Sequence, residues 1–151
     1  MPSAAARKFL ARDLTIEVNT GSVATPTWTP VGGLTSLTHS PSTERADASG
    51  FDSGGRAEHM VTQRGDSWTL EGHAKVDPAD GVQDDGQAAI EASAEAVGLA
   101  AELTYRLTIP GTGSVVRTFT ATAEVTLPGG GTNDLAAWGA ALEVTGVVAK
   151  S

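Results

Sequence analysis

The sequence contains no cysteine. That single absence removes disulfides, thiolate metal sites and cysteine nucleophiles. Aromatic residues make up only 5% of the 151 positions, too few for the stacking walls that sugar clefts use. Lysine and arginine number 10 against 18 aspartates and glutamates, giving a formal net charge of -8. Such a balance repels phosphates instead of neutralising them, which excludes an ordinary nucleic-acid-binding surface. No apolar run approaches the roughly 18 residues that cross a bilayer, so no membrane partner is expected. In Met1–Lys8 the cations follow the short Ala4-Ala5-Ala6 run, whereas a secretory signal places them before a longer one. Residues 1–9 therefore read as an N-terminal arm.

Motifs of catalysis are missing as well. The three histidines, His39, His59 and His73, include no pair spaced i, i+4, so there is no zincin motif. Gly129-Gly130-Gly131 lacks the lysine of a phosphate loop, and no G-x-S-x-G elbow occurs. Asp77, Asp80, Asp84 and Asp85 cluster, but their spacing does not fit a calcium loop. The expectation is a non-enzymatic protein with no catalytic residue, metal or cofactor.

What is present suits one mainly-β domain spanning residues 1–151, with 40% hydrophobic residues to build a core. Leu14, Ile16 and Val18 alternate with polar neighbours, as in a half-buried strand. The next segment, Trp28–His39, is interrupted by Pro30 and Gly32-Gly33 and reads as an edge strand or a bulge near Gly33. Trp68, Leu70, Gly72, Ala74 and Val76 form one face of a strand whose other face is Thr69, Glu71, His73 and Lys75. Leu103–Ile109, Phe119–Leu127 and Trp138–Val148 alternate likewise, and Pro110–Gly113 and Pro128–Gly131 supply turns. A single helix over 84–98 is expected, with Asp84 as N-cap, Gln87 completing a capping box, an Ile90, Ala94, Val97 stripe, and Gly98 as stop. Six or seven such strands favour an antiparallel sandwich or barrel flanked by that helix.

The remaining feature is long and polar. Residues 40–66 read as an inserted loop with charges of both signs and one aromatic, Phe51. Ordered loops of this length usually have a function. Arg45, Asp47, Asp52, Arg56, Glu58 and His59 suit polar, register-setting contacts, and Phe51 suits an apolar anchor. The alternative is a surface loop with Phe51 tucked back on its own domain.

Three stretches follow one another along the chain: A-D-A-S-G-F-D-S-G-G-R-A-E-H-M-V-T-Q-R-G-D-S-W-T-L-E-G, D-D-G-Q-A-A-I-E-A-S-A-E-A-V-G, and the closing G-G-T-N-D-L-A-A-W-G-A-A-L-E-V-T-G. In this order they resemble the phage tail tube proteins, the major tail proteins of long-tailed actinobacterial phages. The resemblance implies a β-sandwich with a flanking helix, assembled as hexameric rings stacked into a hollow tube in the virion tail. It further implies assembly in the host cytoplasm, and tape measure, tail terminator and tail tip proteins as partners. DNA would pass through the lumen without specific binding. On that reading 40–66 docks one ring on the next. Either Glu71 and Lys75 on one strand, or Thr120, Thr122 and Glu124 on another, face the lumen. Competing expectations are a capsid or tail decoration protein, a tube of a contractile injection system, and a carbohydrate-binding β-sandwich using Trp28.

Overall fold

The computed structural model describes residues 8–110 and 115–151. Most of the N-terminal arm and the turn after Pro110 lie outside them. The strands are β1 (Thr15–Asn19), β2 (Trp28–Pro30), β3 (Leu34–Asp47), β4 (His59–His73), β5 (Glu102–Thr108), β6 (Val116–Gly129) and β7 (Ala137–Lys150), with one helix, α1 (Asp85–Ala94), between β4 and β5. They form one seven-stranded sheet in the order β2-β1-β5-β6-β7-β4-β3, every pair antiparallel.

Chain connectivity dictates the shape of that sheet. β2 and β3 are its opposite edges, yet only residues 31–33 separate them. Four residue steps reach about 14 Å, whereas the outer strands of a flat seven-stranded sheet stand about 29 Å apart. The sheet therefore rolls until its edges approach. This is the barrel-like form of the expected antiparallel fold, built from a single sheet. Gly33 sits at the closing point with φ of +76°, a conformation that disfavours any other residue. Its backbone nitrogen-to-carbonyl stretch also lies so close to Gly72 that a side chain there would meet the Gly33 carbonyl.

The inward face is the core: Ile16, Val18, Trp68, Leu70, Tyr105, Leu107, Phe119, Ala121, Trp138, Ala140 and Leu142. Trp68 and Phe119 stack with centroids 5.8 Å apart, and Phe119 and Tyr105 at 5.7 Å. Helix α1 closes this face, with Ile90 fully buried and contacts to β1, β2, β5 and β6. Its start is as expected, Asp84 accepting from the backbone N–H of Gln87 at 3.2 Å.

The helix stops earlier than residue 98. Glu95 is its C-cap, Val97 is exposed, and Gly98 opens a short 3-10 turn instead of ending the helix. The capping box also fails: Gln87 does not turn back on Asp84. Its amide Nε2 donates to the carbonyls of Gly32 and His73, both at 2.9 Å, and its Oε1 accepts from the Lys75 N–H at 3.2 Å. A buried side chain thus ties the β2–β3 link to the end of β4. By taking the groups a ladder would use, it ends β4 at His73, short of the expected Val76.

Candidate assembly surfaces

Two surfaces carry the residues singled out above. The first is the polar segment, which proves to be mostly strand. β3 and β4 pair from Leu34↔Gly72 out to Asp47↔His59, whereas β4 pairs with β7 only between Ser67 and His73. Past Ser67 the two strands leave the sheet as a two-stranded arm. Only residues 48–58 form a connection, so the inserted loop over 40–66 is corrected to an arm with a short tip. The misreading has a physical cause. An arm with no layer against it buries neither face, so its sequence shows no alternation.

The tip is closed by its own backbone. Ala48 N–H donates to the Glu58 carbonyl and Glu58 N–H to Ser49 Oγ, both at 2.8 Å. Asp47 accepts from the Ser49 N–H at 2.9 Å. That bond, with a further one to the Ser49 side chain, holds the Asp47 carboxyl below the usual carboxylate range. Phe51 opens a 3-10 turn at the apex and is 112% exposed, so it does not tuck back on its own domain. Asp52, Arg56, Glu58 and His59 flank it in the exposed tip, while Arg45 lies on β3 opposite Val61, next to a bulge.

The arm is anchored where it leaves the sheet, by residues that sequence reasoning passed over. His39 Nε2 meets Asp66 Oδ1 at 2.7 Å, and the His39 ring lies 4.5 Å from that of Trp68. The signal for this pairing is a cross-strand register, visible only once β3 and β4 are aligned.

The second surface is the outward face of the sheet, which α1 leaves uncovered. Ladder registers set Thr69, Ala141 and Glu124 in one row, Glu71, Gly139 and Thr126 in the next, and Ser67, Glu143, Thr122 and Glu102 in a third. Glu71, Thr120, Thr122 and Glu124, expected on alternative surfaces, thus share one face. Glu102 and Glu143 join them. Small residues Gly139 and Ala141 floor a shallow trough between Glu71 and Glu124. An arginine on this face, Arg106, is paired with Glu17 at 2.9 Å and lies 4.5 Å over the Trp28 ring. That packing makes Trp28 part of the sheet's edge. Lys75 is not on the face: it follows β4 and sits beside the start of α1.

No protein-family model matches the sequence, and no curated protein matches it. Solved structures do match. A chain in the tail of an empty gene transfer agent particle with C6 symmetry superposes with a TM-score of 0.70 at 19% identity, over 95% of this chain and 99% of that one. The tail tube of SPP1 matches with a TM-score of 0.67 at 14% identity, over 95% and 78%. A chain in the baseplate of the anti-feeding prophage matches at 0.55 and 9% identity, over 97% of each. The chain has the tail-tube fold: a seven-stranded antiparallel sheet with one helix.

Proposed function

We propose that this chain is the structural subunit of a phage-type tail tube, with hexameric rings stacking into a hollow conduit for DNA between capsid and host. The observation that carries the reading is the end-to-end match, 95% of this chain on 99% of a chain from a C6-symmetric tail. The exposed surfaces agree with it. β3 presents 14 residues of strand edge that no strand among the described residues covers, and ring closure is how such an edge is satisfied. The arm, with Phe51, Arg45, Asp47, Asp52, Arg56, Glu58 and His59, docks one ring on the next.

The uncovered outward face, with Glu71, Thr120, Thr122 and Glu124, lines the lumen. Its carboxylates keep DNA phosphates from adhering, so the genome slides. Tape measure, tail terminator and tail tip proteins are the expected partners, with assembly in the host cytoplasm and residence in the virion tail. A second reading, the tube of a contractile injection system, is favoured by the likeness to a baseplate chain of the anti-feeding prophage.

Electron microscopy of the purified protein across concentration and salt tests the proposal. Hollow rings or tubes are expected from the intact chain. Deleting 48–56 is expected to leave a folded subunit that does not stack. Tubes of normal length from that deletion refute the docking role of the arm.

A further inference from the structure

The arm is net negative. Glu44, Asp47, Asp52, Glu58 and Asp66 stand against Arg45, Arg56 and Arg64. On a chain of net charge -8 most surfaces repel such an arm, so its receptor has to be a place where cations prevail. Two of the cations outside the arm are already committed. Arg106 pairs with Glu17 at 2.9 Å, and Lys75 stands among Asp77, Asp80, Asp84 and Asp85. That leaves Arg7, Lys8, Arg12, Arg117 and Lys150 of the chain's 10 cations.

Topology draws the four described ones to one rim. Register sets Thr15 opposite Thr108, Thr108 opposite Val116, and Arg117 opposite Lys150. The start of β1, the end of β5, the start of β6 and the end of β7 therefore share one margin of the sheet. Lys8 and Arg12 are exposed on the segment that enters β1 there, and Lys150 is exposed beside the half-buried Arg117. Of the carboxylates that border this rim, Glu17 is taken by Arg106 and Asp66 is bound by His39 at 2.7 Å. Among the described residues that leaves Asp13 alone to oppose the four cations.

We propose that this cationic rim is the seat for the arm tip of a second copy. The inference rests on the docking reading of the arm and names its receptor. Apolar exposure matches the charge. Phe9 at 52% and Leu10 at 55% exposure stand between Lys8 and Arg12, and Phe51 at 112% stands beside Asp52 and close to Glu58. The two patches repeat one pattern, an apolar anchor flanked by charge, with the sign reversed. Neither anchor is covered in the single chain, because residues 59–66 carry the tip up to about 26 Å from the last rung that β4 shares with β7. Contact between two different patches of one chain is heterologous, the kind that propagates from copy to copy.

Charge swaps in the full chain test this. Lys8→Glu with Arg12→Glu reverses the rim, and Asp52→Lys with Glu58→Lys reverses the tip. All four side chains are exposed, so far-ultraviolet circular dichroism is expected to stay native. Each pair alone is expected to raise the concentration needed for tube formation about tenfold, and the four together to restore it. An unchanged threshold in either pair, or no restoration in the combination, overturns the seat. Because the chain lacks cysteine, Phe51→Cys with Leu10→Cys supplies the only thiols. Oxidising the assembled variant is expected to give a ladder of multimers on a non-reducing gel; monomer alone overturns the seat. Rim variants that assemble normally but lose retention on DNA assign the rim to phosphates and overturn it as well. The 48–56 deletion separates the two claims. If it blocks stacking while the rim variant assembles normally, docking by the arm stands and the seat is refuted. If the deletion itself assembles, both fall.

Discussion

Replacing Gln87 by leucine removes a side chain that joins three parts of the fold. Gln87 is fully buried. Its amide satisfies the carbonyls of Gly32 and His73 and the N–H of Lys75. Leucine approximates its volume and adds apolar character, so transfer energy opposes a loss. The three backbone groups remain, partly buried and without their partner. At about 1 kcal/mol net per hydrogen bond, the expected destabilisation is about 3 kcal/mol. For a domain of this size that lowers Tm by roughly 6–12 °C. Urea denaturation followed by tryptophan fluorescence measures it, since Trp68 and Trp138 are core residues. Hydrogen exchange locates it: amides around His73 and Lys75 are expected to lose protection while those of the tip stay unchanged. A loss under about 1 kcal/mol refutes the reasoning, because water would then be serving those groups as well as the side chain does. Gln87→Glu separates the roles further. A carboxylate cannot donate to two carbonyls, and protonation returns a single donor, so its deficit is expected to shrink as pH falls.

The single tyrosine gives a second prediction. Burial raises the Tyr105 phenol pKa above its ordinary value, so above about pH 10 the folded state holds a proton that the unfolded chain has released. Stability therefore falls as pH rises beyond that point, and phenolate absorbance is expected to appear together with unfolding; phenolate forming in the still-folded protein refutes it. Arg106→Ala removes both the ion pair to Glu17 and the stack on Trp28, with an expected loss of about 1–2 kcal/mol by thermal melting; Lys restores charge but not the planar stack, so a full rescue by Arg106→Lys counts against it. Glu124→Lys puts a cation on the outward face and is expected to slow DNA ejection from particles that still assemble; unchanged kinetics remove that face from the lumen.

How much of this was legible in the sequence follows from burial. Alternation located β1, β4 through its inner half, β5, β6 and β7, because one face of each meets the core, as Trp68, Leu70, Phe119, Ala121 and Leu142 do. Pro30 pointed to an edge, but the single segment expected over Trp28–His39 is two strands, β2 and the start of β3, at opposite edges of the sheet. The outer halves of β3 and β4 gave no periodic signal because none of the described residues buries either of their faces. The two alternative lumen strands became one surface only when the β6–β7–β4 order was known, since strand adjacency is a property of topology. Gln87 shows the limit most clearly. Its sequence spacing from Asp84 suggested a local cap, but partners 55 and 14 positions away in sequence won its amide. Local patterns cannot weigh competitors that only the fold brings near.

The arm also has to remain soluble before it meets a partner, and β3 carries the means. A 14-residue unpaired edge invites uncontrolled strand pairing. Pro41 lies within that edge strand, opposite Asp66. Edge strands are where a sheet tolerates proline, whose nitrogen can donate to no neighbouring strand. A register shift between Glu44 and Arg45 bends the same edge, and charged Glu44, Arg45 and Asp47 follow. These features make indiscriminate pairing costly while leaving a shape-matched neighbour able to bind. Pro41→Thr returns a donor to the open edge without touching the β4 ladder. The expected result is monomer stability within about 0.5 kcal/mol of the parent, but light scattering that rises at lower protein concentration. An unchanged scattering threshold means that Pro41 does not guard the edge, and the restraint on assembly then lies in the bulge and the charges beyond it.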